Sequence, residues 1–183
     1  VFALHAAQMA MFTIMPLILT RTGGLDLQHH WQVYLPVVLG GFVLMIPAVI
    51  VGEKKHRLKG VFCFAIGLML FAQIGMAFWL PHLGSIVLWL ALYFIAFNIL
   101  EATQPSLISK IAPVAAKGTA MGVYNTCQSL SMFAGSALAG LIYHRWGTTP
   151  VFIFCAVLMG VWFWLALGMQ APRPVKTRLF HLD

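Results

Sequence analysis

The stretch VYLPVVLGGFVLMIPAVIVGEKKHRLKG, residues 33–60, sets a nearly unbroken apolar run, 33–52, directly before a loop crowded with Lys54, Lys55, Arg57 and Lys59. An α-helix rises 1.5 Å per residue, so about 20 apolar residues cross the roughly 30 Å hydrocarbon core of a bilayer. Every backbone polar group then bonds inside its own segment, as a medium without water requires. Residues 33–52 are therefore expected to span a membrane as a helix, and the cations that follow are expected on the cytoplasmic face.

The same pattern extends in both directions. Further apolar runs at about 1–20, 61–80, 86–109, 119–143 and 151–170 bring the expected spans to six. Breakers separate them: Gly23 and Gly24, Gly60, Pro81, Pro113, and Gly147 with Pro150, while Pro172 and Pro174 end the last. The expected organisation is one six-helix membrane bundle over 1–170 and a basic cytoplasmic tail over 171–183. Val1 lies within an apolar run that lacks a basic leader region and a cleavage site, so further sequence is expected before it.

Composition agrees with an all-α integral membrane protein. Of 183 residues, 61% are hydrophobic and only 8% charged, against about a quarter charged in soluble domains. A net charge of +7 would suit nucleic acid, but the cations fall in short clusters between apolar runs and form no single basic face. No nucleic-acid partner is expected. Cys63, Cys127 and Cys155 all lie inside apolar segments without metal-ligand spacing, so buried thiols are expected and no metal site.

The cations also set an orientation. Nine of the 11 Lys and Arg fall on one side if the runs alternate: Lys54, Lys55, Arg57 and Lys59, then Lys110 and Lys117, then Arg173, Lys176 and Arg178. The other side has Arg21 and Arg145. A missed span would scramble that division, so it supports six crossings with the carboxyl end in the cytoplasm. Trp31, Trp79, Trp89 and Trp146 fall near the expected outer boundary, where amphipathic rings are favoured.

Polar side chains are costly in lipid, so their distribution marks helices that face protein or a watery cavity. The fourth run carries Asn98, Glu101, Thr103 and Gln104; the fifth carries Tyr124, Asn125, Thr126, Gln128 and Ser129; the first carries His5, Gln8 and Thr13. These three are expected to line a cavity. The third and sixth, apolar apart from Gln73, are expected at the lipid-facing periphery. Pro16 and Pro105 occupy corresponding places in the first and fourth runs, as two related three-helix units would have them.

Glu101 is the one acid well inside a span, with Asn98 and Gln104 on nearly the same face. A carboxyl that trades between its protonated and ionised forms can couple proton movement to a change of shape; the competing reading is a carboxyl tying helices together. His5, Gln8, Asn98, Gln104, Tyr124, Asn125 and Gln128 are candidates to line the cavity and meet substrate, against ordinary interhelical hydrogen bonding. Gly118 with Gly122, Gly135 with Ala139, and Ser136 with Gly140 repeat a small-x-x-x-small spacing that suits close helix packing. Phosphate-binding Gly-Lys-Ser, zinc-binding His-Glu-x-x-His and Gly-x-Ser-x-Gly signatures are missing, so neither enzymatic activity nor a cofactor is expected.

FNILEATQPSLISKIAPVAAKGTAMGVY, Phe97 to Tyr124, resembles the tenth and eleventh helices of the YajR-like bacterial inner-membrane transporters of the major facilitator superfamily. GGFVLMIPAVIVGEKKHRLKG, Gly40 to Gly60, is similar to that group's eighth helix and the loop after it. Glu53, Lys54 and Arg57 stand where the superfamily's cytoplasmic motif places its acid and bases, and His56 replaces the motif's glycine. The resemblance implies the carboxy-terminal half, helices seven to twelve, of a twelve-helix secondary transporter in the inner membrane. It further implies proton-coupled antiport, with efflux of small or amphiphilic solutes by alternating access against an amino-terminal six-helix bundle. The expected partners are the lipid bilayer, that second bundle, a small-molecule substrate and protons. A six-helix scaffold or assembly partner without transport is the alternative.

Overall fold

The computed structural model describes residues 1–54 and 57–169. Lys55, His56 and the segment 170–183, with Pro172, Arg173, Pro174, Lys176 and Arg178, lie outside the described residues. Six long helices carry the chain: α1 (Phe2–Arg21), α2 (Trp31–Lys54), α3 (Leu58–Phe78), α4 (Leu83–Ile111), α5 (Lys117–Trp146) and α6 (Thr148–Leu167). Single 3-10 turns at Leu27–His29 and Val114–Ala116 precede α2 and α5. Gly147, at φ +85, makes the tight reversal between α5 and α6 in a conformation a Cβ would strain.

Inter-helix contacts fix the direction of each helix. His5 packs on Tyr124, Ala6 on Gly135, and Arg21 bonds Tyr143, so α1 and α5 run the same way. Gly41 lies against Asn98, and Glu53 holds Lys110, so α2 and α4 also run together. Phe12 against Phe94 and His5 against Glu101 make α1 and α4 antiparallel. Lys59 reaches Leu167 and Phe62 meets Trp162, which makes α3 and α6 antiparallel as well. The helices alternate, and the described cations Lys54, Arg57, Lys59, Lys110 and Lys117 gather at one end of the bundle.

Packing also repeats. Exchanging α1–α3 for α4–α6 maps the principal contact α1·α5 onto α2·α4, α3·α4 onto α1·α6, and α2·α3 onto α5·α6, while α3·α6 maps onto itself. Two three-helix units of opposite direction therefore make the bundle, as inverted repeats do in many transporters. Pro16 and Pro105 stand inside α1 and α4, the corresponding first helices of the two units.

Five of the described helices are long and apolar enough to cross a membrane, and α5 falls outside that group. Its 30 residues would reach about 45 Å, but polar side chains run along it. Much of that polarity is satisfied internally: Thr126 Oγ1 donates to the Gly122 carbonyl at 2.9 Å, Ser129 Oγ to Asn125 at 3.1 Å and Ser131 Oγ to Gln128 at 2.7 Å. Hydroxyls bonded within their own turn lower the desolvation cost, and α5 leans along α1 throughout. Its direction, opposite to both α4 and α6, makes it the sixth crossing despite its polarity.

α3 and α6 present apolar rows outward, Phe64, Phe71, Ile74 and Phe78 on one and Val157, Val161 and Trp164 on the other. α3 also buries an inner face, including Gln73 at 0% exposure, so it is only half a lipid-facing helix. Trp31, Trp79 and Trp146 are exposed at the cation-poor end. Trp89, half-buried, lies beside Trp79 at the same end. Its ring covers Gly75, where any Cβ would collide, and its Nε1 donates to the Trp79 carbonyl at 3.0 Å, so it serves packing.

Candidate functional site

α1, α4 and α5 meet in the half of the bundle nearer the cations, and their meeting is set by glycine. A Cβ on Gly135 would collide with the backbone of Ala6, so α5 lies directly on α1. On the opposite flank a Cβ at Gly41 would come within 2.8 Å of Asn98 Nδ2, so α2 presses on α4. Backbones this close bring α1 and α4 within side-chain reach across the seam.

His5 sits in that seam at 0% exposure. Its Nδ1 lies 3.1 Å from the Val1 carbonyl, which can only accept, so Nδ1 carries a hydrogen in that bond. Its Nε2 lies 3.1 Å from Glu101 Oε2. That is an ion-pair distance, although neither atom has an aligned hydrogen-bond partner. With Nδ1 protonated, a lone pair on Nε2 would repel the carboxylate; a proton on either atom makes the contact attractive. The two residues thus bring α1 and α4 into contact through ionisable side chains.

Aromatic rings frame the pair. Phe97 and Tyr124 stand edge-on to the His5 ring at 6.4 and 6.5 Å between centroids. Glu101 is 38% exposed on its side chain, so it reaches the open edge of the seam while His5 remains inside. The fully enclosed imidazole is therefore approached through the carboxylate.

Around them lie buried polar atoms without partners: Gln8 Oε1, Asn98 Nδ2, both amide atoms of Gln104, and the hydroxyl of Tyr124. Leaving a buried polar group unpaired costs on the order of 1–3 kcal/mol each. Toward the cation-poor end, Tyr34 likewise has an unpartnered hydroxyl, with its ring 6.2 Å from Phe12. Sequence reading passed over it because it lies in the first turn of an otherwise apolar run; a phenol flanked by Val33 and Leu35 was the available signal.

Other candidates lie elsewhere. Asn125 is exposed on the outer face of α5, whereas Gln128 is half-buried, one turn from the buried Tyr124 and Ser131 on the inner face. Within the described residues nothing stands within 4 Å of a Cβ built on Gly118, Gly122 or Gly140, so of the four packing glycines Gly135 alone touches a neighbouring helix of this chain. At the cation-rich end, Glu53 accepts from Lys110 Nζ at 2.6 Å and from Ser106 Oγ at 3.0 Å, linking the ends of α2 and α4. Lys54 and Arg57 are exposed beside it. No group of three or more metal-ligating side chains comes together among the described residues.

The sequence matches the Major Facilitator Superfamily over residues 1–181. The chain belongs to that superfamily. It is 38% identical over 177 residues to the inner membrane transport protein YajR of Escherichia coli (strain K12), covering 97% of this chain and 39% of that protein. It is 30% identical over 135 residues to the uncharacterized transporter BU466 of Buchnera aphidicola subsp. Acyrthosiphon pisum (strain APS), covering 74% of this chain and 34% of the relative. A transporter of Buchnera aphidicola subsp. Baizongia pistaciae (strain Bp) is 24% identical over 164 residues, with 89% of this chain and 42% of the relative covered. The chain thus spans about two fifths of the length of the curated relatives it matches. Membership of the superfamily agrees with the bundle: a multi-pass, all-α membrane fold with two inverted three-helix units.

Proposed function

We propose that this chain is the carboxy-terminal half of a proton-coupled secondary transporter that exports small or amphiphilic solutes by alternating access. The observation that carries this is the His5–Glu101 contact, two ionisable side chains 3.1 Å apart inside the membrane-spanning bundle. An ionisable residue within a span marks an ion pathway by default. Here it stands on the first helix of each inverted unit, beside unpartnered polar atoms and aromatic rings.

The remaining parts follow the same reading. The described length is one bundle, and alternating access needs a second bundle rocking against it. The exposed polar face of α5, with Asn125, Thr126, Ser129 and the uncovered Gly118 and Gly122, suits a protein or water boundary better than lipid. On this reading the cation-rich end faces the cytoplasm, the carboxyl end lies on that side, and the membrane is a bacterial inner membrane, as named for the Escherichia coli relative. Substrate binds where Glu101 opens on the seam, and the aromatic rings beside it favour an amphiphile with a cationic head.

The test is flux. The full-length protein in proteoliposomes should move an amphiphilic cation against an imposed proton gradient, and Glu101→Gln should remove the dependence on that gradient. Flux by the variant that still follows the gradient returns Glu101 to a purely structural role.

A further inference from the structure

The bundle has a second concavity at its other end. A cleft of about 640 Å³ opens where α1, α3 and α5 end and α6 begins. It lies far from the seam, since Arg21 and His5 are 16 positions apart on α1, or about 24 Å along the axis. One wall is polar, with Arg21, His144, Thr148 and Thr149; the other is apolar, with Leu17, Met76 and Leu80. Among the described residues no carboxylate lines it.

Its depth and charge are both informative. Trp79 and Trp146, 67% and 64% exposed, flank the lining residues Leu80 and Gly147 and mark the headgroup level. This end is poor in cations, yet Arg21 lines the cleft and Arg145 follows its residue His144. Arg21 Nη1 donates to the Tyr143 hydroxyl at 3.2 Å, which orients the guanidinium and leaves its other donors for a ligand. A guanidinium with spare donors matches phosphate oxygens, and threonine hydroxyls add further donors.

We propose that this cleft binds an anionic phospholipid of the adjacent leaflet, with the phosphate on Arg21 and the threonines and an acyl chain along Leu17, Met76 and Leu80. Basic pockets between membrane helices take lipid headgroups in this manner. The apolar wall selects a lipid over a free anion.

Native mass spectrometry of the full-length protein in detergent, with phosphatidylglycerol, phosphatidylcholine or inorganic phosphate added, tests this. Phosphatidylglycerol should be retained about tenfold more strongly than phosphatidylcholine, a difference that Arg21→Gln abolishes and Arg21→Lys partly restores. Arg145→Gln should keep it, which separates binding by Arg21 from the general positive charge of this end. Leu80→Trp, which fills the apolar wall and spares the guanidinium, should lose the lipid too and covers the case of a misfolded Arg21→Gln. Equal retention of both lipids, an unaffected Arg21→Gln, or Arg21-dependent binding of inorganic phosphate without lipid preference would each overturn the proposal.

Discussion

Glu101 of α4 lies 3.1 Å from Nε2 of His5 on α1, and the other nitrogen of that ring is committed to a backbone carbonyl. A proton on either atom makes the contact attractive. Under the proposed proton coupling, release of that proton would weaken the contact between the leading helices of the two inverted units.

Substituting either member should separate coupling from folding. Glu101→Gln keeps the size and a hydrogen-bonding amide, so helical content by circular dichroism should match the parent while proton-driven flux falls by about tenfold or more. His5→Phe should lower thermal stability less than His5→Glu, which sets a second carboxylate against Glu101 in a buried site. A His5→Glu protein that melts with the parent would show that the pair is open to water.

Glycine substitutions should sort by what faces them. Gly135→Ala places a methyl group in the backbone of Ala6, and about 1–3 kcal/mol of destabilisation is expected from such overpacking. Gly118→Ala and Gly140→Ala meet no atom of the described residues and should stay within about 0.5 kcal/mol in this chain. Thermal melts of the three variants in one detergent measure the contrast.

The link between Glu53 and Lys110 should matter little for stability. Both side chains are more than two fifths exposed, at 41% and 44%, and such pairs contribute about 0–1 kcal/mol. A double-mutant cycle with Glu53→Gln and Lys110→Gln should return a coupling in that range and weaken further in high salt. A coupling of several kcal/mol would mean that water does not reach this end of the bundle.

Three native thiols report on exposure. Cys127 is exposed on α5, Cys63 half-buried against α6 and Cys155 buried. If α5 borders the aqueous cavity of the full-length protein, a small hydrophilic maleimide should label Cys127 within minutes and leave Cys155 unmodified until the protein is denatured. Labelling of Cys127 by lipophilic reagents alone would put that face in lipid.

The number and alternation of the helices were legible in the chain itself. Solvent dictates them: apolar runs of bilayer length must become helices, and cations cannot be left in hydrocarbon. Residues 33–60 contain both rules, and the six expected runs lie within the six observed helices to within a few residues. Glu101 and His5 were each visible as ionisable residues inside a span, for the same reason.

Their pairing was not visible, because they are 96 positions apart and meet only through the approach of α1 and α4. Tertiary structure also decided which small residues pack, since Gly135 and Gly118 read alike until a neighbour is set beside one and not the other. The polarity of α5 led toward a cavity lining as a whole; the folded bundle divides it, with Tyr124 turned inward and Asn125 outward one residue later. Composition reports the solvent a helix must tolerate, whereas the partner that each face meets is settled only when long-range contacts form.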